Sequence, residues 1–241
     1  MEDKKIIMIK KRCNMTYKEQ CNSIDDYIRI DVTSRNKDKN LVNDLSPLYI
    51  GPVVSSDGLI ARTFENLWQY GKVYPRIYDE NKKIVPGVDE NGNPTDEFYK
   101  WRKRFYELKK EKGDRHPALP SMIRHRDCLY MVYFDDKGNL EKLDYVTSRK
   151  KIYIPEYAKL IVNTESFKYI KKLYDKGEKI ALCDYDAWNY YGPNLDQDVS
   201  IINIVNNPSY KVGHGYVIKM LLQGDIEVVN NQVIDHVGVL K

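Results

Sequence analysis

The sequence predicts an α+β fold, in which a single domain of 241 residues has a mainly helical core flanked by short strands and β-hairpins. Residues 62–75 and 96–112 carry apolar side chains at helical spacing. Residues 27–34 alternate apolar and polar side chains, as a half-buried strand does. Residues 128–145 and 224–239 combine apolar runs with central turn residues, which is typical of hairpins.

Two further helical segments complete the predicted core. Residues 148–176 form helices that Pro155 kinks or splits, because a proline inside a helix removes a hydrogen bond and clashes with the preceding turn. Residues 214–222 form the other helical segment. The polar stretch 79–95 reads as an inserted hairpin or loop. Two interpretations fit this stretch: a lid that covers a site, or a surface loop exposed to solvent.

The composition indicates an ordinary globular chain without a membrane span. No run of about 18 apolar residues is present. The residues after Met1 lack the apolar region of a signal peptide, so we expect a cytoplasmic protein that does not act at a membrane. The four cysteines are scattered and form no CxxC pair, so no structural zinc site is predicted, and neither a metal nor a cofactor is expected.

The segment at residues 62–75 predicts a helix with two different faces. Thr63 is placed to cap its first turn, where its hydroxyl accepts a free backbone N–H. The apolar face consists of Phe64, Leu67, Trp68 and Gly71. Their spacing of i, i+3, i+4 and i+7 forms one stripe with a glycine notch, which indicates packing against a core.

Beside that stripe stands a row of three polar residues, Glu65, Gln69 and Lys72, which we call the polar row. A carboxylate, an amide and an ammonium in one row suit a binding or catalytic site. They equally suit a solvated helix face with a weak Glu–Lys pair, and on spacing alone that second interpretation is the more common one.

The residues around this helix resemble the NADAR (YbiA-like) family. That family has a loop of the S/N-x-x-Y-P type, a short segment and then a helix of the form [ST]-x-E-H-x-x-Q-x-x-K. In this sequence the pattern falls on Thr63, Glu65, Gln69 and Lys72, after the loop SPLYIGPV. The family's histidine is replaced by Asn66. The match covers residues 45–75, and a weaker similarity is present at residues 213–229.

The chain is more similar still to a group of viral and cellular NADAR-like proteins without an assigned activity. These share segments of the type IDVTS, RKKIYIP, DYD and GHG along most of the length. In this chain the last two fall at residues 184–186 and 213–215. The resemblance therefore implies a YbiA-like core for the single predicted domain.

The resemblance implies an N-glycosidase that hydrolyses the ribose–base bond of an ADP-ribosylated or ribosyl-phosphate nucleobase, with ADP-ribosyl-guanine and ribosylated pyrimidines as the substrate classes. Glu65 would stabilise the positive charge that develops on the ribose, or activate the water. Lys72 would hold a phosphate or assist the departing base, and Gln69 would fix a ribose hydroxyl or base edge. Further substrate contacts are expected at Arg62, Trp68, Tyr49, Asp184, Asp186 and His214. Of these, Trp68 is expected to serve mainly in the core.

Two of these contact sites have competing structural explanations. Asp184 and Asp186 follow a short buried strand, where acids often meet ligands in α/β folds, but they also suit a turn. The glycines beside His214 allow a phosphate to approach the backbone N–H groups of a helix N-terminus. This pattern is neither a P-loop nor GxGxxG, and by itself it indicates nucleotide binding only weakly.

A basic segment supports a different function. Residues 99–126 contain ten Lys and Arg against three Asp and Glu, although the whole chain carries only +4. Such a segment can follow the phosphates of DNA or RNA, or it can be a solvated helix face. Within it, His125 lies between Arg124 and Arg126, so we expect a lowered pKa and a phosphate contact. The alternatives to the enzyme are thus a non-catalytic nucleotide or nucleic-acid binding protein, and an inhibitor or scaffold.

Overall fold

The structure, a computed structural model, describes residues 6–10, 26–109, 118–187 and 200–241. It contains both helices and strands, so the predicted α+β class is confirmed. The chain divides into two compact units. The middle unit consists of Pro47–Ser148, and the terminal unit consists of Met1–Ser46 with Arg149–Lys241.

The helices are α1 (Lys39–Leu45), α2 (Phe64–Tyr70), α3 (Asp96–Tyr106), α4 (Tyr145–Ser148), α5 (Ile154–Ile161), α6 (Glu165–Asp175), α7 (Ile201–Asn206) and α8 (His214–Gln223). The strands are β1 (Ile6–Lys10), β2 (Ile28–Asp31), β3 (Val53–Val54), β4 (Ile60–Ala61), β5 (Lys72–Val73), β6 (Arg76–Tyr78), β7 (Ile84–Pro86), β8 (Tyr130–Phe134), β9 (Leu140–Leu143), β10 (Ile180–Asp184), β11 (Ile226–Val229) and β12 (Gln232–Asp235). Within the described residues, no helix combines the length and apolar character that crossing a membrane requires.

The terminal unit is built on a three-stranded parallel sheet in the order β1-β10-β2. All five residues of β10 are buried, as is typical of a parallel strand covered on both faces. Helix α8 packs against β1 and β10, and α5 and α6 pack against α8. Pro155 stands in the first turn of α5, after the π-helical turn Arg149–Tyr153, so the predicted interruption is confirmed.

The middle unit holds the helix pair α2 and α3 together with three small antiparallel sheets, β3-β4, β6-β7 and β5-β8-β9. Aromatic rings join the two helices. The Tyr70 ring stacks on Phe105 at a centroid distance of 4.7 Å and meets Trp101 edge-on at 5.2 Å. These ring contacts hold α2 against α3, and the side chains of the predicted apolar stripe, Phe64, Leu67 and Trp68, are also buried.

Both helices of this pair are shorter than the sequence predicts. Helix α2 ends at Tyr70, and Lys72–Val73 form strand β5, because their backbone pairs with β8. The notch at Gly71 is confirmed: a Cβ there would lie 2.9 Å from Met131 Cε. Helix α3 ends at Tyr106 instead of continuing to residue 112. Residues 110–117 lie outside the described part of the chain.

The end of α3 has a physical cause. The carbonyl of Tyr106 accepts the Arg62 N–H at 2.8 Å and the Asn66 side-chain amide at 3.1 Å. The same amide donates to the Leu108 carbonyl at 2.8 Å. Because partners from outside the helix satisfy these terminal carbonyls, the chain leaves the helical path without leaving them unpaired.

The inserted stretch 79–95 forms hydrogen-bonded structure. It contains β7, which pairs with β6, and two turns in which Asp79 and Asp89 each accept two backbone N–H groups. The Tyr130 hydroxyl, on β8, donates to the Gly92 carbonyl at 2.7 Å. The predicted hairpin is therefore present, and it is attached to the sheet that also contains Lys72.

Candidate functional site

The first turn of α2 is held by local contacts. The Asn66 N–H donates to Thr63 Oγ1 at 3.2 Å, so the predicted cap is confirmed. The loop before the helix accepts two more of its amides: the Glu65 N–H donates to the Pro47 carbonyl and the Phe64 N–H to the Ile50 carbonyl, both at 2.8 Å. The loop therefore fixes the backbone that carries the first member of the polar row.

The polar row is a continuous chain of hydrogen bonds. Gln69 Nε2 donates to Glu65 Oε1 at 3.0 Å, and Lys72 Nζ donates to Gln69 Oε1 at 2.9 Å. Lys72 Nζ also lies 4.9 Å from the centroid of the Trp68 ring. Because Gln69 accepts at its oxygen and donates at its nitrogen, its amide orientation is set by the charges on either side.

The middle residue of the polar row is more deeply buried than the residues at its two ends. Gln69 is 6% exposed, whereas Glu65 and Lys72 are half-buried. The amide is therefore fixed, and the two residues at its ends keep part of their surface open to solvent. Trp68 is 8% exposed and belongs to the core, which agrees with its expected main role and leaves little ring surface for a substrate.

Asn66, at the position of the family's histidine, has a structural role. Its side chain is fully buried and donates to the carbonyls of Tyr106 and Leu108. Its Oδ1 atom has no hydrogen-bond partner among the described residues. The residue thus joins α2 to the end of α3, and its side chain is closed off from solvent.

Two other predicted contacts in this unit are exposed. Tyr49 lies in the loop that caps α2, and the side chain of Arg62 lies just before that helix. Both residues are open to solvent near the N-terminal end of α2. Among the described residues, no group of three or more His, Cys, Asp and Glu side chains is placed to hold a metal ion.

The remaining predicted contacts belong to the terminal unit, where Asp184 and His214 form an internal cluster. Asp184 is 1% exposed, and its Oδ2 accepts the Gly215 N–H at 2.9 Å. His214 Nδ1 lies 3.4 Å from the same oxygen, and His214 Nε2 donates to the Val32 carbonyl at 2.7 Å. The Gly215 amide, which the sequence suggested for a phosphate, thus already binds a carboxylate of the same chain.

Asp186 has a different environment from Asp184. Strand β10 ends at Asp184, and residues 185–186 form a turn. The side chain of Asp186 is 41% exposed and lies 3.9 Å from Lys211 Nζ. The turn that the sequence offered as the alternative explanation of these two acids is therefore present.

The glycines beside His214 are required by the close approach of Asp184. A Cβ at Gly213 would collide with Asp184 Oδ2 and lie 2.8 Å from Asp186 Cβ, and Gly213 has an ordinary φ of -88°. We expect Gly213→Ala to lower the free energy of unfolding by about 1–3 kcal/mol, the usual cost of overpacking. Chemical denaturation measures this change.

Gly177→Ala is the comparison for Gly213→Ala. Gly177 has a φ of +89° and no atom within 4 Å of its Cβ position, so an alanine there adds only backbone strain. This strain costs about 1 kcal/mol. An equal or smaller loss for Gly213→Ala would show that the Asp184 cluster adapts to a methyl group.

The basic segment carries less unpaired charge on α3 than its composition indicates. Arg102 is buried and forms an ion pair with Asp57, and Lys100 Nζ lies 2.7 Å from Glu97 Oε1. Arg104 Nη2 donates to the carbonyls of Tyr78 and Asp79 at 3.3 and 3.4 Å. These contacts direct part of the positive charge into the structure of the middle unit.

Sequence reasoning missed the proximity of Lys72 to the segment around His125. Partial burial and the Lys72 charge lower the pKa of His125. The direction was predicted, but it was attributed to the neighbouring arginines. Burial raises the pKa of Cys128, and the Lys72 charge opposes that rise. The contact depends on the pairing of β5 with β8. Neither segment's sequence by itself indicates that pairing.

Comparisons with protein-family models, with curated proteins and with solved structures found no match for this chain. The NADAR resemblance stays a prediction from the sequence.

Proposed function

We propose that this protein is an N-glycosidase that hydrolyses the bond between a ribose and a nucleobase, in an ADP-ribosylated or ribosyl-phosphate substrate. The observation that carries the proposal is the hydrogen-bonded row in which Gln69 joins the carboxylate of Glu65 to the ammonium of Lys72. A solvated helix face does not require a buried amide between its charges, whereas a site with two opposite charges in fixed positions does.

The two charges suit the two ends of the bond that breaks. As the bond between C1′ and the base nitrogen lengthens, positive charge develops on the ribose and negative charge on the base. Glu65 stabilises the ribose side and takes a proton from the attacking water, whose oxygen forms the new bond to C1′. Lys72 gives a proton to the base nitrogen, which receives the bonding electron pair. Exchange with solvent restores both side chains.

The remaining groups of the middle unit fit substrate binding. Gln69 holds Glu65 and Lys72 apart, so that they do not neutralise each other by direct contact. Arg62 and Tyr49 are exposed near the start of α2 and suit a phosphate and a base or sugar face, respectively. The proposal includes the cytoplasmic setting predicted from the sequence, and the reaction itself requires only water as a co-reactant.

The proposal is tested by incubating the purified protein with ADP-ribosylated guanosine, ADP-ribosylated DNA, NAD and ribosylated pyrimidine phosphates. Released base is measured by mass spectrometry, and we expect release from at least one of these compounds. No release, together with DNA or nucleotide binding that weakens steeply as salt rises, would instead favour the non-catalytic binding protein built on residues 99–126.

A further inference from the structure

Lys72 lies just beyond the end of α2, and contacts with β8 fix its backbone. Helix α2 is followed by Gly71, which keeps helical φ and ψ angles of -77° and -14°. Lys72 therefore lies about one helical turn after Trp68. The Val132 N–H donates to the Gly71 carbonyl at 3.0 Å, and Lys72 pairs with Met131 across β5 and β8. These backbone contacts determine the point from which the lysine side chain extends.

The side chain of Lys72 contacts two residues of α2. Its Nζ atom donates to Gln69 Oε1 at 2.9 Å and lies over the Trp68 ring, 4.9 Å from the ring centroid. An ammonium within about 6 Å of an aromatic centroid is attracted by the negative face of the ring, and tryptophan attracts it most strongly. Trp68 is 8% exposed, so the surrounding core holds this ring face in place.

The ring and the amide restrain the ammonium in different ways. A lysine side chain is a flexible four-carbon stem, so a single hydrogen bond leaves the position of its ammonium poorly defined. The Trp68 ring covers a second side of the ammonium and keeps it beside Gln69. Because an aromatic face attracts the charge but does not take the proton, this contact favours the charged form of Lys72 and leaves proton transfer to other partners.

We propose that Trp68 is a positioning residue, which acts on the substrate only through Lys72. The inference rests on the proposed N-glycosidase function. In that reaction the bond between C1′ and the base nitrogen breaks, its electron pair passes to the base, and Lys72 supplies the proton to that nitrogen. The Trp68 ring holds the ammonium in place for this transfer. The ring itself does not bind the base, because too little of its surface is exposed.

Other titratable groups that influence Lys72 stay unchanged in variants of Trp68. Glu65 lies at the other end of the polar row. In the segment before β8, partial burial and the Lys72 charge lower the pKa of His125, and the same charge opposes the rise that burial causes in the pKa of Cys128. A difference in the titration of Lys72 between these variants therefore reports on the ring.

The contact is tested by NMR on the full chain, after its lysines are reductively methylated with isotope-labelled formaldehyde. The Lys72 signal is assigned by its loss in Lys72→Arg. We expect an upfield shift of this signal in the wild type, because the methyl groups lie over the indole face. In Trp68→Leu the upfield shift should disappear, and the pH at the midpoint of the Lys72 titration should fall by about 0.5, since the charged form loses a favourable contact.

Base release gives the second measurement. We expect Trp68→Leu to lower kcat for ADP-ribosylated guanosine by about tenfold, a part of the roughly 10²–10⁴-fold that a positioned proton donor contributes, and to leave KM nearly unchanged. Trp68→Phe keeps an aromatic face and should recover most of the lost activity. Leucine and phenylalanine are both smaller than tryptophan, so a purely structural role predicts similar losses for the two variants.

Phe98→Leu is the matched control. Phe98 is a fully buried ring of the same unit, and it contacts the rings of Tyr99 and Trp101 on α3. Its substitution should lower the stability, as the loss of a buried ring does, but leave kcat and the Lys72 signal unchanged. Thermal melting followed by circular dichroism confirms that each variant is folded.

The outcomes separate this inference from the proposed function. An unchanged Lys72 signal in Trp68→Leu would overturn the inference, whether or not the protein releases base. Unchanged kcat in Trp68→Leu, or equal losses in the leucine and phenylalanine variants, would overturn the positioning role while wild-type turnover still supports the glycosidase. If the wild type releases base from no compound in the panel, the glycosidase proposal fails and the role of Trp68 in it fails as well.

Discussion

Replacing Glu65 by glutamine is expected to lower base release by about 10²–10⁴-fold, the range for loss of a catalytic acid or base. The substitution preserves size, and the new amide oxygen can still accept the hydrogen bond from Gln69 that Glu65 Oε1 accepts at 3.0 Å. Only the negative charge is removed, so the positive charge on the ribose loses its partner. Release of base by mass spectrometry gives the rate, and circular dichroism verifies the fold.

Glu97→Gln is the matched control for this prediction. Glu97 also lies in the first turn of a helix of the middle unit, and it pairs with Lys100 three residues later at 2.7 Å. Its side chain is 40% exposed and takes no part in the polar row, so its substitution should leave the rate unchanged. If the Glu65→Gln protein releases base as fast as the wild type, the polar row takes no part in the mechanism and is an ordinary surface feature.

Local signals explain the parts of this structure that the sequence predicted. Helix α2 begins after Thr63 because the Thr63 hydroxyl caps the helix by accepting the N–H of Asn66, three residues later. The interruption near Pro155 and the turn at Asn230–Asn231, where both residues have positive φ, are local in the same sense. In each case the residues that decide the conformation lie within one turn of each other.

Long-range pairing explains the errors. Lys72 was expected on a helix, but its backbone pairs with Met131, nearly sixty positions away in the sequence. Arg102 belongs to the basic segment, for which the sequence offered phosphate contacts or a solvated helix face, but it binds Asp57, which lies before the preceding helix. A helical period indicates which side chains share a face, and it does not indicate which distant segment will satisfy the backbone or a buried charge.

The pair formed by Asp57 and Arg102 carries the largest expected effect on stability. Arg102 is 1% exposed, both of its terminal nitrogens donate to the Asp57 carboxylate, and its Nε donates to the Tyr106 hydroxyl at 3.0 Å. Asp57→Ala leaves a buried guanidinium without its counter-charge. We expect a loss of about 3 kcal/mol in the free energy of unfolding, since the Asp57 side chain is 19% exposed and water can replace part of the interaction.

This loss also depends on pH. Burial raises the pKa of Asp57, but the hydrogen bonds from Arg102 and Ser55 outweigh it and leave that pKa below its usual value. A carboxyl group with a lowered pKa in the folded state stabilises the protein above the usual pKa of about 4, and this contribution is lost as the pH falls further. The difference in Tm between wild type and Asp57→Ala should therefore be large at pH 7 and shrink below about pH 4.

Two variants distinguish the cost of leaving a buried charge without its partner from the cost of losing a contact. Asp136→Ala removes an exposed carboxylate from the β8–β9 turn and should change the stability by less than about 0.5 kcal/mol. Asp57→Ala combined with Arg102→Met removes both charges and should recover much of the loss, because no buried guanidinium then lacks a partner. If the double variant is no more stable than Asp57→Ala alone, the cost arises from packing around Ser55 and Tyr106. If it recovers, the loss in Asp57→Ala arises from the buried guanidinium of Arg102 that has lost its counter-charge.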